Sequence, residues 1–143
     1  MRIALGCDHG GLALKKAIMA HLDERGLAYK DFGTYTEDSC DYPDYGRAAA
    51  LAVARGECDR GIVICTTGIG ISIAANKVPG IRAALCGDSL SAELTRLHND
   101  ANVLALGAAI TGEALALRIV DVFLDTPFSD GERHKRRIAK IEG

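Results

Sequence analysis

The sequence predicts an α/β/α sandwich around a five-stranded parallel sheet. Two observations carry that expectation. Short apolar runs alternate with segments of helical period over all 143 residues. One of those runs, Gly61–Cys65 (GIVIC), is continuously apolar and rich in β-branched residues, as expected of a strand covered on both faces. Parallel strands need crossover connections, and right-handed crossovers set helices on both faces of a sheet.

Each element has its own justification. Arg2–Cys7 (RIALGC) reads as the first strand, closed by Asp8-His9-Gly10-Gly11. Leu12–Arg25 carries Leu14, Ile18 and Leu22 at helical spacing, and Gly26 follows as a C-terminal cap. Leu27–Phe32 is a weaker strand. Residues 33–43 (GTYTEDSCDYP) are polar, contain Gly and Pro, and read as a loop. Pro43 suits the first turn of a helix that runs to Ala54. After the Gly61–Cys65 strand come a glycine-containing turn, Thr66–Gly70, and a helix over Ile71–Lys77. The alternation continues with a strand at Ile81–Cys86, a helix at Ser89–His98, a strand at Val103–Leu106 and a helix at Gly112–Leu124. A charged helix closes the chain from about Asp130. No composition shift, repeat or low-complexity tract divides residues 1–143, so they read as one domain.

Composition excludes several function classes. Hydrophobic residues make up 48% and charged residues 25%, ordinary globular values that argue against disorder. The net charge of −2 gives no global attraction to nucleic acid or to an anionic membrane. Aromatics are 5% and Trp is absent, so little is available to stack single-stranded bases. The longest apolar stretch, Val103–Ile110, is about eight residues, against about twenty needed to cross a bilayer. The first residues lack the apolar core of a signal peptide. The five cysteines, Cys7, Cys40, Cys58, Cys65 and Cys86, are odd in number and contain no C-x-x-C pair. They argue against a disulfide framework or a structural zinc, and for thiols in a reducing cytoplasm.

In open parallel sheets, ligands bind beyond the carboxyl ends of the strands. That rule singles out Cys7-Asp8-His9, residues 33–43, Cys65–Gly70, Gly87-Asp88 and Leu106–Ala109. Cys65-Thr66-Thr67-Gly68-Ile69-Gly70-Ile71-Ser72 is the strongest of these. Its backbone N–H groups open a helix, and glycine lets them approach a phosphate or a developing oxyanion. A dinucleotide fingerprint is not complete here, because Ile73 stands where the third glycine belongs. Cys65, at the junction of strand and helix N-terminus, is placed to act as base or nucleophile, though a buried hydrophobe is the usual fate of a free cysteine. Asp8-His9 offers a capping carboxylate and an imidazole able to bind an anion or move protons. Neighbouring residues on a strand point to opposite faces, which argues against zinc at Cys7, Asp8 and His9. His98 lies at a helix end, where its charge would complement the dipole. Arg133 and Arg137, four apart, share one face of the last helix, which suits either a phosphate clamp or a solvated charged surface.

Taken in order, these segments resemble a known family. DHGGLALK at 8–15, DYPDY at 41–45, CTTGIGISIAANK at 65–77, GIRAALC at 80–86, HNDANVLALG at 98–107 and ERHKRRI at 132–138 are similar to the signatures of the ribose-5-phosphate isomerase B family. That family includes isomerases of galactose 6-phosphate and allose 6-phosphate. The resemblance implies a Rossmann-like fold and an aldose–ketose isomerase that needs no cofactor or metal. It also implies a homodimer, sometimes a homotetramer, with active sites at the subunit interface and a phosphorylated sugar as substrate. Carried over, Cys65 matches the base that moves a proton between C1 and C2 through an enediolate. His98 matches the residue that opens the sugar ring, with Asp8 and Tyr42 nearby. Thr67 and the backbone of Thr66, Gly68, Ile69 and Gly70 match the element that stabilises the enediolate oxygen. His9, Arg133 and Arg137 match phosphate-binding positions, and Asn99 a substrate contact. Two positions depart: Thr66 stands where Gly is common after the cysteine, and Ala109 where an Arg is common. Ribose 5-phosphate and ribulose 5-phosphate are the expected pair. A hexose 6-phosphate, an unphosphorylated sugar, or a non-catalytic nucleotide-binding module are the alternatives.

Overall fold

A computed structural model describes residues Met1–Gly143. The chain begins with strand β1 (Arg2–Cys7), a 3₁₀ turn (His9–Gly11) and helix α1 (Leu12–Glu24). Then follow β2 (Ala28–Asp31), α2 (Tyr42–Ala54), β3 (Arg60–Cys65), α3 (Ile69–Asn76) and β4 (Ala83–Leu85). α4 (Ser89–Asn99), β5 (Val103–Gly107), α5 (Glu113–Asp125) and α6 (Glu132–Glu142) complete it. The five strands are all parallel, in the order β2-β1-β3-β5-β4. The expected α/β/α sandwich is therefore present.

The two-residue period of the strands builds two cores. Ile3, Leu5, Cys7, Ile62, Ile64, Leu104 and Leu106 point to one face, where α1, α4 and α5 supply Ile18, Leu22, Ala92, Ile119 and Phe123. Ala4, Val63, Cys65, Val103 and Ala105 point to the other, against Ala49, Ala50 and Val53 of α2 and Ile71 and Ala75 of α3. This is why the central strands read as unbroken apolar runs. No helix is long and apolar enough to cross a membrane.

Some boundaries differ from the sequence expectation. β4 is shorter than Ile81–Cys86, because side chains take over the pairing at its start. Asn102 Oδ1 accepts the N–H of Arg82 at 2.9 Å, and Asn76 Oδ1 accepts that of Ala83 at 2.8 Å. α3 starts at Ile69 rather than Ile71, since the turn closes two residues earlier, with Gly68 at the helix N-cap. Lys15 is 1% exposed, which helical spacing alone does not reveal. Its ammonium donates to Asp31 Oδ1 at 2.6 Å and to the Thr34 carbonyl at 2.5 Å, tying α1 to the end of β2 and the loop after it.

The turn after β3 fits the sheet closely. Cys65 pairs with Gly107 in register, and the β5 chain continues alongside the turn. Ala108 N donates to Cys65 O and Ala109 N to Thr66 O, both at 2.9 Å. Gly68 adopts φ +77°, and a Cβ there would lie 2.6 Å from Leu85 Cδ1 and 2.7 Å from the Leu106 carbonyl carbon. A Cβ on Gly107 would collide with the Thr67 carbonyl. The Leu106 and Thr67 contacts are with backbone, which cannot swing aside. Gly107→Ala is expected to lower the unfolding free energy by about 1–3 kcal/mol, the usual cost of overpacking. Gly87→Ala, where an added Cβ meets nothing within 4 Å, should leave it unchanged in the same urea titration.

Candidate active site

Three turns meet at the carboxyl edge of the sheet. Asp8 follows β1 and is 6% exposed; its Oδ1 accepts the N–H groups of Gly10 (3.0 Å) and Gly11 (3.2 Å). The carboxylate therefore caps the 3₁₀ turn and holds it in place. Gly10 lies under the β3 turn, where a Cβ would sit 2.5 Å from Thr66 Oγ1. Cys65 is 4% exposed, in the core between α2 and α3, and its Sγ accepts the Gly68 N–H at 3.2 Å. That N–H is in place to donate to a thiolate. Thr66 and Thr67 are exposed, and Thr67 Oγ1 accepts the Ile69 N–H at 3.2 Å. Ile69 and Gly70 form the first turn of α3.

Tyr42 opens α2, and its ring lies against that first turn. A Cβ on Gly70 would come 2.5 Å from Tyr42 Cζ and 2.8 Å from its hydroxyl. His9 is exposed, and its Nδ1 accepts the Cys40 N–H at 3.2 Å. An accepting Nδ1 puts the proton of the neutral ring on Nε2, a donor free for an anion. Between the ends of β3, β4 and β5, Thr67, Ile69, Leu85, Gly107, Ile110 and Thr111 line a cavity of about 320 Å³. The edge thus combines a buried thiol, backbone N–H groups, hydroxyls and an imidazole.

The remaining thiols lack this setting. Burial pushes the Cys7 and Cys86 thiols up to about 11, and Cys58 is shifted in the same direction for the same reason. A thiol held there stays protonated near neutral pH.

His98, Asn99, Arg133 and Arg137 are elsewhere. α4 leaves the carboxyl edge after β4 and ends at the amino edge before β5, and its 11 residues span about 16 Å. His98 and Asn99 close that helix, so one chain sets them at the end of the sheet opposite Cys65. Asp8 and Tyr42, expected near His98, are at the carboxyl edge within a single chain. α6 packs at the amino edge too. Arg82 donates to Asn99 O (2.8 Å) and to Glu142 Oε1 (2.6 Å), and Ser129 Oγ donates to Leu97 O (2.7 Å). Arg133 and Arg137 are exposed on α6. Asn99 Oδ1 accepts the Thr95 hydroxyl at 3.0 Å. Leu97, His98, Ser129, Gly131, Glu132 and Arg133 line a cleft of about 450 Å³ with His134.

His134 was not singled out by the sequence reading. It is the buried residue of α6, and its ring stacks on His98 with centroids 4.4 Å apart and planes 13° apart. Burial, His98 and the two flanking arginines hold its imidazole below the usual histidine range. The spacing of His134, Ile138 and Ile141, at i, i+4 and i+7, was the available signal.

A model of the ribose/galactose isomerase family matches residues 3–141. Ribose-5-phosphate isomerase B of Escherichia coli is 53% identical over 98% of this chain and 93% of its own length. A galactose-6-phosphate isomerase subunit of Clostridium acetobutylicum is 42% identical over 99% of this chain and 82% of its own. Among solved structures, ribose-5-phosphate isomerase B of Clostridium thermocellum superposes with a TM-score of 0.97 at 57% identity, covering 99% of this chain and 95% of that one. One of the Trypanosoma cruzi type B enzyme gives 0.96 at 44%, covering 99% and 96%. Every element that forms the carboxyl-edge site lies within these matches, and the chain belongs to the ribose/galactose isomerase family of aldose–ketose isomerases.

Proposed function

We propose that this protein interconverts ribose 5-phosphate and ribulose 5-phosphate in an active site completed by a second copy of the chain. The observation that carries the chemistry is the Cys65 thiol, buried at a strand end and 3.2 Å from the Gly68 N–H. Proton transfer next to a carbonyl needs a base, an oxyanion site and exclusion of water. As a thiolate, Cys65 takes the proton from C2 of the open-chain aldose. The C2–H electron pair moves into a C1–C2 double bond, and the carbonyl pair moves onto O1. N–H groups of Thr66–Gly70 and the Thr67 hydroxyl donate to the resulting enediolate. A hydroxyl proton passes between O2 and O1, and Cys65 returns its proton to C1, giving the ketose. No bond to the enzyme forms.

His98, from the second copy, takes the anomeric hydroxyl proton of the furanose and returns one to the ring oxygen, with Asp8 and Tyr42 at the same site. His9 donates to the phosphate, Arg133 and Arg137 of the second copy clamp it, and Asn99 contacts the sugar. The separation of His98 and Cys65 to opposite sheet edges supports the two-copy site. So does the apolar skin around the edge strand β4, where Ile69, Ile73, Leu85 and Leu90 are each at least 44% exposed. That face suits a homodimer, from which a homotetramer can be built. A hexose 6-phosphate is the second reading. It is favoured by a space of about 370 Å³ beside Gly10, Ala13, Ala108 and Ala109, where an arginine would narrow the edge.

Cys65→Ala should reduce kcat by about 10²–10⁴-fold, the ordinary weight of a catalytic base, with little change in KM. A variant that isomerises at the parent rate would remove Cys65 from the mechanism. A panel of pentoses and hexoses, each with and without phosphate, ranks the substrates by kcat/KM. Arg137→Ala should lower kcat/KM at least about tenfold for the phosphorylated sugars, through loss of a charge-assisted hydrogen bond. It should leave the unphosphorylated sugars unaffected, and an equal loss for both would overturn the phosphate assignment.

A further inference from the structure

The geometry points to His134 as a positioning residue for His98, holding its imidazole by ring-to-ring stacking so that one edge stays aimed at the sugar ring. This rests on the assignment of ring opening to His98 above.

Four observations support it. The two rings are 4.4 Å apart and 13° from parallel, so one face of His98 is covered by a flat partner. His134 is 8% exposed, while every other residue of α6 is half-buried or exposed, so it is the one side chain that this helix buries. The Gly131 backbone passes close to its ring, since an added Cβ there would lie 3.1 Å from His134 Cδ2. The segment before it is tied to α4 next to His98, as Ser129 N and Oγ both donate to Leu97 O.

The charges fit the same role. His98 on α4 and Arg133 and Arg137 on α6 bias the His134 ring towards its neutral form, as its burial does. A neutral His134 can stay stacked when His98 gains a proton during ring opening. A second cation at that place would push the rings apart. An aliphatic residue would anchor α6 equally well but would offer no flat face to the imidazole. Positioning of this kind weighs on rate, because a misplacement of about 1 Å can cost about 10²-fold.

The test separates ring opening from proton transfer. Ribulose 5-phosphate cannot close to a furanose, because its O5 carries the phosphate. Deuterium exchange at its C1 therefore reports the Cys65 step alone, whereas isomerisation from ribose 5-phosphate also needs the ring opened. His134→Leu, His134→Phe and His98→Asn are compared in both reactions, with unfolding midpoint and sedimentation as controls. His134→Gln replaces His134→Leu if leucine disturbs folding. His134→Leu is expected to lose isomerisation by about 10²-fold and to keep C1 exchange at the parent rate. His134→Phe, which retains a flat ring, should restore isomerisation, and His98→Asn should reproduce the split. The inference is overturned if His134→Leu isomerises normally, if it loses both reactions in proportion, or if His134→Phe fails as badly. A split in His98→Asn without one in His134→Leu removes only the role of His134. No split in His98→Asn removes the assignment of His98 itself.

Discussion

The close approach of the β3 turn to the end of β5 is the contact on which the site depends. Gly107 leaves room for the Thr67 carbonyl, and Gly68 takes a left-handed conformation against Leu85 and Leu106. Only then can the Gly68 N–H return to the Cys65 sulfur, and only then does α3 start at Ile69. The third turn, from Asp8 to Gly11, is built onto this one, with Gly10 under Thr66 and Gly11 against Ile64. A parallel sheet makes such a junction possible, because its strands all end at the same edge. Buried backbone N–H groups must find partners, and here the last partner is a side-chain sulfur.

The same parallel topology sets His98, Asn99 and the α6 arginines at the opposite edge. Each crossover helix returns the chain to the amino edge before the next strand begins. A residue at the C-terminal end of α4 therefore cannot reach the C-terminal end of β3 within one chain. His98 and the α6 arginines form a separate basic face, in a chain whose net charge is only −2. In the proposed two-copy site, the thiol would stay in a dry core and the cations at the surface until the copies meet.

Much of this was legible in the residues. Strand and helix order followed from hydrophobic period, because the two cores impose period two on the strands and a face on each helix. The rule for ligand edges singled out Cys65, Asp8, His9 and the Thr66–Gly70 turn, and each lies at the carboxyl edge because it ends or follows a strand directly. It could not place His98, Asn99, Arg133 and Arg137, which follow helices. Lys15 was invisible as a buried cation because its partners, Asp31 and the Thr34 carbonyl, belong to other elements. The shortened β4 depends on the side chains of Asn76 and Asn102, whose hydrogen bonds no local propensity encodes. His134 was hidden among charged neighbours, and of the apolar residues at helical spacing from it Ile138 is half-buried and Ile141 exposed.

In the proposed arrangement one working site takes Cys65 from one copy and His98 from the other. Co-expression of Cys65→Ala and His98→Asn chains, each carrying a different affinity tag, distinguishes this from a site within one chain. A mixed dimer would hold one site with both substitutions and one with neither. Purified through both tags, it should recover about half of the parent activity, although each variant alone falls by about 10²-fold or more, as two-fold symmetry requires. A doubly tagged dimer as inactive as its parents would place Cys65 and His98 in the same chain's site and contradict the account.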